Sequence, residues 1–290
     1  MEKFKGIFPA LLTPFDSDNR INNKALEELI ELNIEKGVTG FYVAGSTAEV
    51  FLLSGEERKE LYKTVKSIVG DRATLIAHVG AIGTDLTIEY AKIAEKLGYD
   101  AISSVAPFYY KFSFEEIKQY YFDVVSTVSL PMIIYNFPGF SGVNLSCAQM
   151  GEFLSDDRFI GVKHTSNDYF ALSQYKMAFP DKVIYNGFDE MMLAGLSMGA
   201  DGGIGSTYNF MAEKFIKLVE LFKANKMEEA DALQKNINKI IVALCDVGVM
   251  AGEKAVLCEM GLDFGICRKP FGEIPADKKK AFLDTVMPLL

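Results

Sequence analysis

The sequence predicts a (β/α)8 TIM barrel followed by a C-terminal three-helix extension. Eight short apolar runs, rich in β-branched and aromatic residues, alternate with eight segments of helical periodicity, a pattern that favours parallel pairing. Eight is also the number of parallel strands that closes a barrel. No Pro/Gly/Ser-rich linker or shift of composition divides the 290 residues, and after residue 223 the pattern is helical only. The expected division is a barrel over residues 1–223 and a helical extension packed on it over 224–290. An open doubly wound sheet remains the competing architecture, because strand count alone does not prove closure.

The strands are expected at 6–12, 40–45, 74–80, 101–106, 131–136, 159–165, 183–187 and 202–206. Helical periodicity falls at 24–36, 55–69, 84–97, 114–128, 146–154, 168–178, 190–198 and 210–223. In the first helix Leu26, Leu29, Ile30 and Asn33 share one stripe, with Glu27, Glu28, Glu31 and Glu35 elsewhere. Ser54-x-x-Glu57, Ser113-x-x-Glu116 and Ser146-x-x-Gln149 fit capping boxes, which satisfy orphan backbone donors. Gly37, Gly70 and Gly98 close helices before the next strand. Residues 226–248, 252–261 and 277–288 read as added helices beside the ring, where a subunit contact would form. Pro270, Gly272 and Pro275 mark the last break.

The net charge of −9, with no basic run to offset it, argues against a nucleic-acid partner. Residues 6–15 are apolar, but Pro9, Pro14 and the lack of a cleavage site make them a first strand rather than a secretion signal. No apolar run approaches the roughly 20 residues of a membrane span, so a cytoplasmic protein is expected. Cys147, Cys245, Cys258 and Cys267 lack Cys-x-x-Cys spacing and are expected as buried free thiols in a reducing compartment. His78 and His164 are the only histidines, which excludes a three-histidine zinc site, and no metal is expected.

Lys163 lies within the apolar run Phe159–Thr165. An ammonium in a strand buried on both faces is desolvated, which lowers its pKa and frees the amine to attack a carbonyl. A strand-end lysine reaching solvent along its stem is the alternative. In such barrels the active site gathers at the carboxyl ends of the strands. There the chain places Gly45-Ser46-Thr47-Ala48-Glu49, Pro107-Phe108-Tyr109-Tyr110, Tyr135-Asn136-Phe137-Pro138, Asn186-Gly187-Phe188-Asp189-Glu190 and Gly202–Thr207. Ser46 and Thr47 suit either a carboxylate cradle or a turn with a helix cap. Asp189-Glu190 suits a binding pair or a solvated helix start. The Gly202–Thr207 loop holds a phosphate or only permits close packing, and matches neither the dinucleotide nor the Walker pattern. Tyr135 is either a core ring or a phenol that relays protons beside Lys163, since strands five and six are neighbours in a barrel. Lys163, Tyr135 and Ser46-Thr47 together supply an amine, a proton carrier and a carboxylate holder, the needs of a 2-oxo-acid aldolase.

These motifs resemble the dihydrodipicolinate synthase/N-acetylneuraminate lyase family of pyruvate-dependent class I aldolases, over essentially the whole chain. Gly45–Glu49 is similar to its Gly-Ser/Thr-Thr-Gly-Glu loop, Tyr135-Asn136-x-Pro138 to its tyrosine motif, and Gly161-Val162-Lys163 to its lysine strand. Tyr109–Glu116, Tyr185–Glu190 and Asp201–Asn209 resemble the lyase branch. Phe140-Ser141-Gly142 stands where the synthase branch carries an arginine for a second carboxylate.

The resemblance implies a homotetramer without metal or organic cofactor that reversibly cleaves N-acetylneuraminate (sialic acid) to N-acetylmannosamine and pyruvate. It implies Lys163 as the Schiff-base residue, Tyr135 as the proton shuttle, and Ser46 and Thr47 on the substrate carboxylate. Thr165, Gly187, Asp189, Glu190 and Ser206 would contact the polyhydroxylated tail, and Tyr109 would be lent to a neighbouring subunit. A 2-keto-3-deoxy sugar acid aldolase, a dihydrodipicolinate synthase-like enzyme, a non-catalytic metabolite-binding barrel and a phosphosugar isomerase are the rivals. Ala48 departs from the family's glycine and costs about 1 kcal/mol if that position needs a positive φ. His164 alternates to the opposite strand face and is expected to be packed rather than catalytic.

Overall fold

The computed structural model describes residues 1–290. All eight expected strands form, each within the predicted window: β1 Gly6–Pro9, β2 Gly40–Val43, β3 Thr74–His78, β4 Ala101–Val105, β5 Met132–Asn136, β6 Phe159–His164, β7 Val183–Asn186 and β8 Gly202–Gly205. They are parallel, in the order β1-β8-β7-β6-β5-β4-β3-β2. Between β1 and β2 the Thr39 amide donates to Ile7 O at 3.0 Å and Leu11 N to Tyr42 O at 2.9 Å. That seam joins the two ends of the sheet, so the ring closes and the open-sheet alternative falls.

The first helices are α1 Asn23–Glu35, α2 Gly55–Val69, α3 Thr84–Leu97 and α4 Phe114–Val125. A four-residue turn, α5 Pro138–Ser141, precedes α6 Cys147–Leu154, α7 Tyr169–Ala178, α8 Met192–Ser197 and α9 Tyr208–Lys223. The turn α5 was not expected; Pro138 at its start and Gly142 at φ +69 after its end confine it to one turn. All three capping boxes are present, with Ser54, Ser113 and Ser146 accepting from Glu57, Glu116 and Gln149 amides while those side chains bond back. Gly98 ends α3 in the left-handed region at φ +78, as its place after the last apolar residue predicts.

Two apolar layers result. Inside the ring, Phe8, Tyr42, Ile76, Val105, Ile133, Tyr135, Tyr185 and Ile204 fill the barrel from successive strands. The larger layer lies between the ring and its helices and includes the α1 stripe Leu26, Leu29 and Ile30. Asn33 on that stripe is buried because its amide donates to Leu29 O and to Asn209 O.

The last helices are α10 Met227–Val247, α11 Val249–Glu259 and α12 Ala276–Val286. Gly248, at φ +92, makes the break between the first two, so α11 starts three residues before the expected 252. They do more than flank the ring: α10 packs on α8 and α9, and α11 carries Glu253 and Lys254 fully into the interior. The expected burial of all the thiols fails. Cys147 and Cys245 are exposed, Cys258 half-buried and Cys267 buried, all four free. Cys147 opens a surface helix and Cys245 sits off the α10 stripe of Ile237, Ile240, Ile241 and Leu244. No helix is long and apolar enough to cross a membrane.

Candidate active site

Lys163 owes its place to a one-residue irregularity. Met132 of β5 pairs with Phe159 of β6, but Ile133 pairs with Gly161, leaving Ile160 unopposed. Without that bulge Tyr135 would face Val162; with it, Tyr135 stands opposite Lys163 and both point into the barrel. Lys163 is 4% exposed. Its Nζ lies 4.0 Å from the centre of the Tyr135 ring and 4.5 Å from that of Tyr42. Burial lowers its pKa to about 7, against the opposing pull of the Asp189 charge. Near neutral pH a large fraction is therefore free amine, the form that attacks a keto carbon.

The Tyr135 phenol is pushed up to about 12 by burial and stays protonated, although the Ser46 and Thr165 hydroxyls beside it work the other way. Thr165 Oγ1 has no hydrogen-bond partner of its own within the protein, so it is an open polar atom next to the phenol. Gly187 lies flat against it: a Cβ there would come 2.0 Å from Thr165 Oγ1. Any side chain at 187 would close this corner of the pocket.

Ser46 and Thr47, both half-buried, form a single turn of 3-10 helix with Ala48 at the mouth of β2. The loop is bent at its ends, by Ala44 at φ +58 and Glu49 at φ +57, while Ala48 keeps an ordinary φ. The alanine that departs from the family pattern is thus silent. His78 Nδ1 donates to Ala44 O at 3.0 Å, and its Nε2 accepts from Val105 N at 3.3 Å. Full burial drives its pKa well down, which keeps this imidazole neutral. On the other flank the Glu49 carboxylate receives Lys254 Nζ at 2.6 Å and Arg268 N at 2.7 Å. Glu49 is consumed by these bonds and holds the loop rather than a ligand.

Across the mouth, Asp189 is buried with Oδ2 accepting from Thr207 N at 2.9 Å and Oγ1 at 2.7 Å. Its Oδ1 is unpartnered, and a Cβ on Gly205 would lie 1.8 Å from it. Burial raises Asp189 to about 6 against the Thr207 donors. The Gly202–Thr207 loop therefore has its anion position filled by the protein's own carboxylate, with the Glu253 carboxyl beside Ser206. A phosphate there would meet two acids, which removes the isomerase reading. Glu190, half-buried, follows Asp189 at the rim.

Lys163, Tyr135, Ser46, Thr165, Gly187 and Asp189 thus lie together at the carboxyl end of the ring. Tyr109 does not: it is 84% exposed, with φ at +78. His164 points away, its Nε2 donating to Asp168 O at 2.9 Å and its Nδ1 accepting from Asn136 Nδ2 at 3.1 Å. No three His, Cys, Asp or Glu side chains are grouped to hold a metal ion. The sequence reading missed Tyr42, His78, Lys254, Arg268 and Glu253. For Tyr42 the signal was alternation along β2; for the α11 pair it was two charges inside the apolar stretch Val249–Leu257.

A model of the dihydrodipicolinate synthetase family matches residues 3–288. The chain is 43% identical to the N-acetylneuraminate lyase of Rhizobium meliloti (strain 1021) over 289 residues, 99% of this chain and 96% of that one. Its structure superposes on CdNal from Clostridium difficile, solved with mannosamine, at a TM-score of 0.97, with 40% identity and 99% of each chain covered. The N-acetylneuraminate lyase of Fusobacterium nucleatum, complexed with pyruvate, gives 0.95 and 40%, covering 99% of this chain and 98% of that one.

Proposed function

The chain belongs to the dihydrodipicolinate synthetase family, and we propose that it is the Schiff-base aldolase that reversibly cleaves N-acetylneuraminate to N-acetylmannosamine and pyruvate. The observation that carries the chemistry is a buried lysine with its pKa near 7, directly opposite a protonated tyrosine in the ring. Lys163 condenses with the keto carbon and expels water. The protonated iminium then accepts the electron pair of the breaking carbon–carbon bond, giving an enamine. Tyr135 relays a proton: it accepts the proton of the hydroxyl that becomes the aldehyde as it passes its own phenolic proton to the substrate carboxylate, and that proton returns to the enamine carbon before hydrolysis releases pyruvate. Ser46 and Thr47 hold the carboxylate, with no organic cofactor or metal required.

The sugar end fits Thr165, Gly187, Asp189, Glu190 and Ser206, where carboxylates accept several hydroxyl hydrogen bonds. The position where a synthase would need a cation for a second carboxylate holds Phe140, 73% exposed. Tyr109 suits a partner copy: an exposed tyrosine at positive φ, a conformation that costs on the order of 1–3 kcal/mol, gains a reason if it covers a neighbour's site. A homotetramer and a cytoplasmic location complete the proposal.

The test has two arms. Pyruvate with borohydride should modify the peptide carrying Lys163, and pyruvate release from a panel of 2-oxo sugar acids should be fastest with N-acetylneuraminate. Modification with turnover only of a 2-keto-3-deoxy sugar acid would keep the chemistry and change the substrate. Absence of any lysine adduct would end the aldolase reading.

A further inference from the structure

His78 is a fully buried side chain at the end of β3 for which the chemistry above has no use. It shares the inner face of the strand with Ile76 and bridges the ends of the two flanking strands. Val105 N–H, 3.3 Å from Nε2, can only donate, so Nε2 accepts. Nδ1 therefore carries the proton and donates to Ala44 O at 3.0 Å. Only a neutral imidazole makes both bonds at once. Ala44 is the residue at φ +58 that turns the chain out of β2 into Gly45-Ser46-Thr47. A non-glycine residue in that region persists only where its surroundings hold it, and the imidazole holds its carbonyl.

The imidazole is itself fixed from both sides. Outside the ring, Arg58 of α2 donates to His78 O at 2.6 Å and to Gly80 O at 3.0 Å, and the Tyr62 hydroxyl also donates to His78 O. Inside, its ring centre lies 5.9 Å from those of Tyr135 and Tyr42, the two rings that bracket Lys163 Nζ. A Cβ at Gly80 would come 3.0 Å from both Nε2 and Val105 N, so the bridge needs glycine there. Both nitrogens are occupied by backbone groups, so this ring moves no proton. We infer that His78 is a positioning residue for the carboxylate cradle: its Nδ1–H holds the Ala44 carbonyl and, through it, the turn that aims Ser46 and Thr47 at the carboxylate of the 2-oxo acid. The role rests on the aldolase reading and deepens it.

The experiment compares H78N, H78Q and H78L with the wild type by borohydride trapping of pyruvate on Lys163, read as a half-saturating concentration and a plateau per folded protein. An asparagine amide sits where Nδ1 does and keeps a donor for Ala44 O. A glutamine amide fills more of the space of the imidazole but reaches towards Val105, losing the bond to Ala44. Positioning therefore predicts that H78N keeps the half-saturating pyruvate concentration within about threefold, while H78Q and H78L raise it about tenfold, the order of one buried hydrogen bond lost. Packing alone predicts the reverse order for the two amides. The plateau should stay near that of the wild type in all three, because the lysine keeps its burial. Equal values in H78N and H78Q, a tighter H78Q, a loss confined to the plateau, or failure of all three variants to fold would each overturn the role. A wild type that traps no pyruvate on Lys163 sinks the aldolase reading and this role together. One that traps it while the two amide variants behave alike sinks the role alone.

Discussion

Lys163 Nζ stands 4.5 Å from the centre of the Tyr42 ring, on a strand across the barrel. The Tyr42 hydroxyl is turned to Ser103 Oγ at 3.0 Å, so the lysine meets the ring and not the phenol. A ring face attracts a cation, and the nitrogen is cationic again once the iminium forms. Tyr42→Phe keeps that face and should leave kcat within about threefold, while Tyr42→Leu removes 1–2 kcal/mol of it and should slow turnover about tenfold. Steady-state rates normalised to folded protein check this. Equal rates in the two variants would assign Tyr42 to packing alone.

Tyr135→Phe should lower kcat by on the order of 10²–10⁴-fold, the usual worth of a positioned acid–base group. Pyruvate trapping by borohydride should persist, because Lys163 needs burial and not the phenol to become nucleophilic. Mass spectrometry of the trapped protein beside the kinetic assay separates the two steps. Undiminished turnover would remove Tyr135 from the proton path.

The strands, their parallel order and the capping boxes were legible because each rests on local spacing, as at Ser54 and Glu57. The Lys163–Tyr135 juxtaposition was legible only as neighbouring strands. Its exact pairing depends on Ile160 being left out of the ladder, a register fact that no run of apolar residues announces. Glu253, Lys254 and Arg268 were missed for another reason. They reach Ser206, Glu49 and Glu57 from about 50 to 220 positions away in the chain, and the helical period of α11 says nothing of what it meets.

Asp189→Asn should shift the pH dependence of adduct formation. The Asp189 charge raises the Lys163 pKa while burial lowers it to about 7. Removing the negative charge leaves the ammonium less favoured, so the pKa falls further. Free amine then persists to lower pH, and the half-point of pyruvate trapping should move down from about 7. A half-point that moves upward or stays would show that Asp189 does not act on Lys163 through charge.

Lys254→Met should destabilise the fold by about 3–5 kcal/mol, because it strands a buried carboxylate. The pair it breaks is 1% and 0% exposed, and Glu49 would retain only the Arg268 amide. Met fills nearly the same space, so loss of packing over Phe15, whose ring lies 4.3 Å from Lys254 Nζ, is the smaller term. Glu49→Gln in the same chain removes the stranded charge and should recover part of the loss, a coupling that urea unfolding of the four-member cycle measures. Since Glu49 ends the loop bearing Ser46 and Thr47, the single variant should also raise KM for pyruvate more than it lowers the rate of the carbon–carbon step. Additive stability losses in the double variant would mean that the two charges do not support each other.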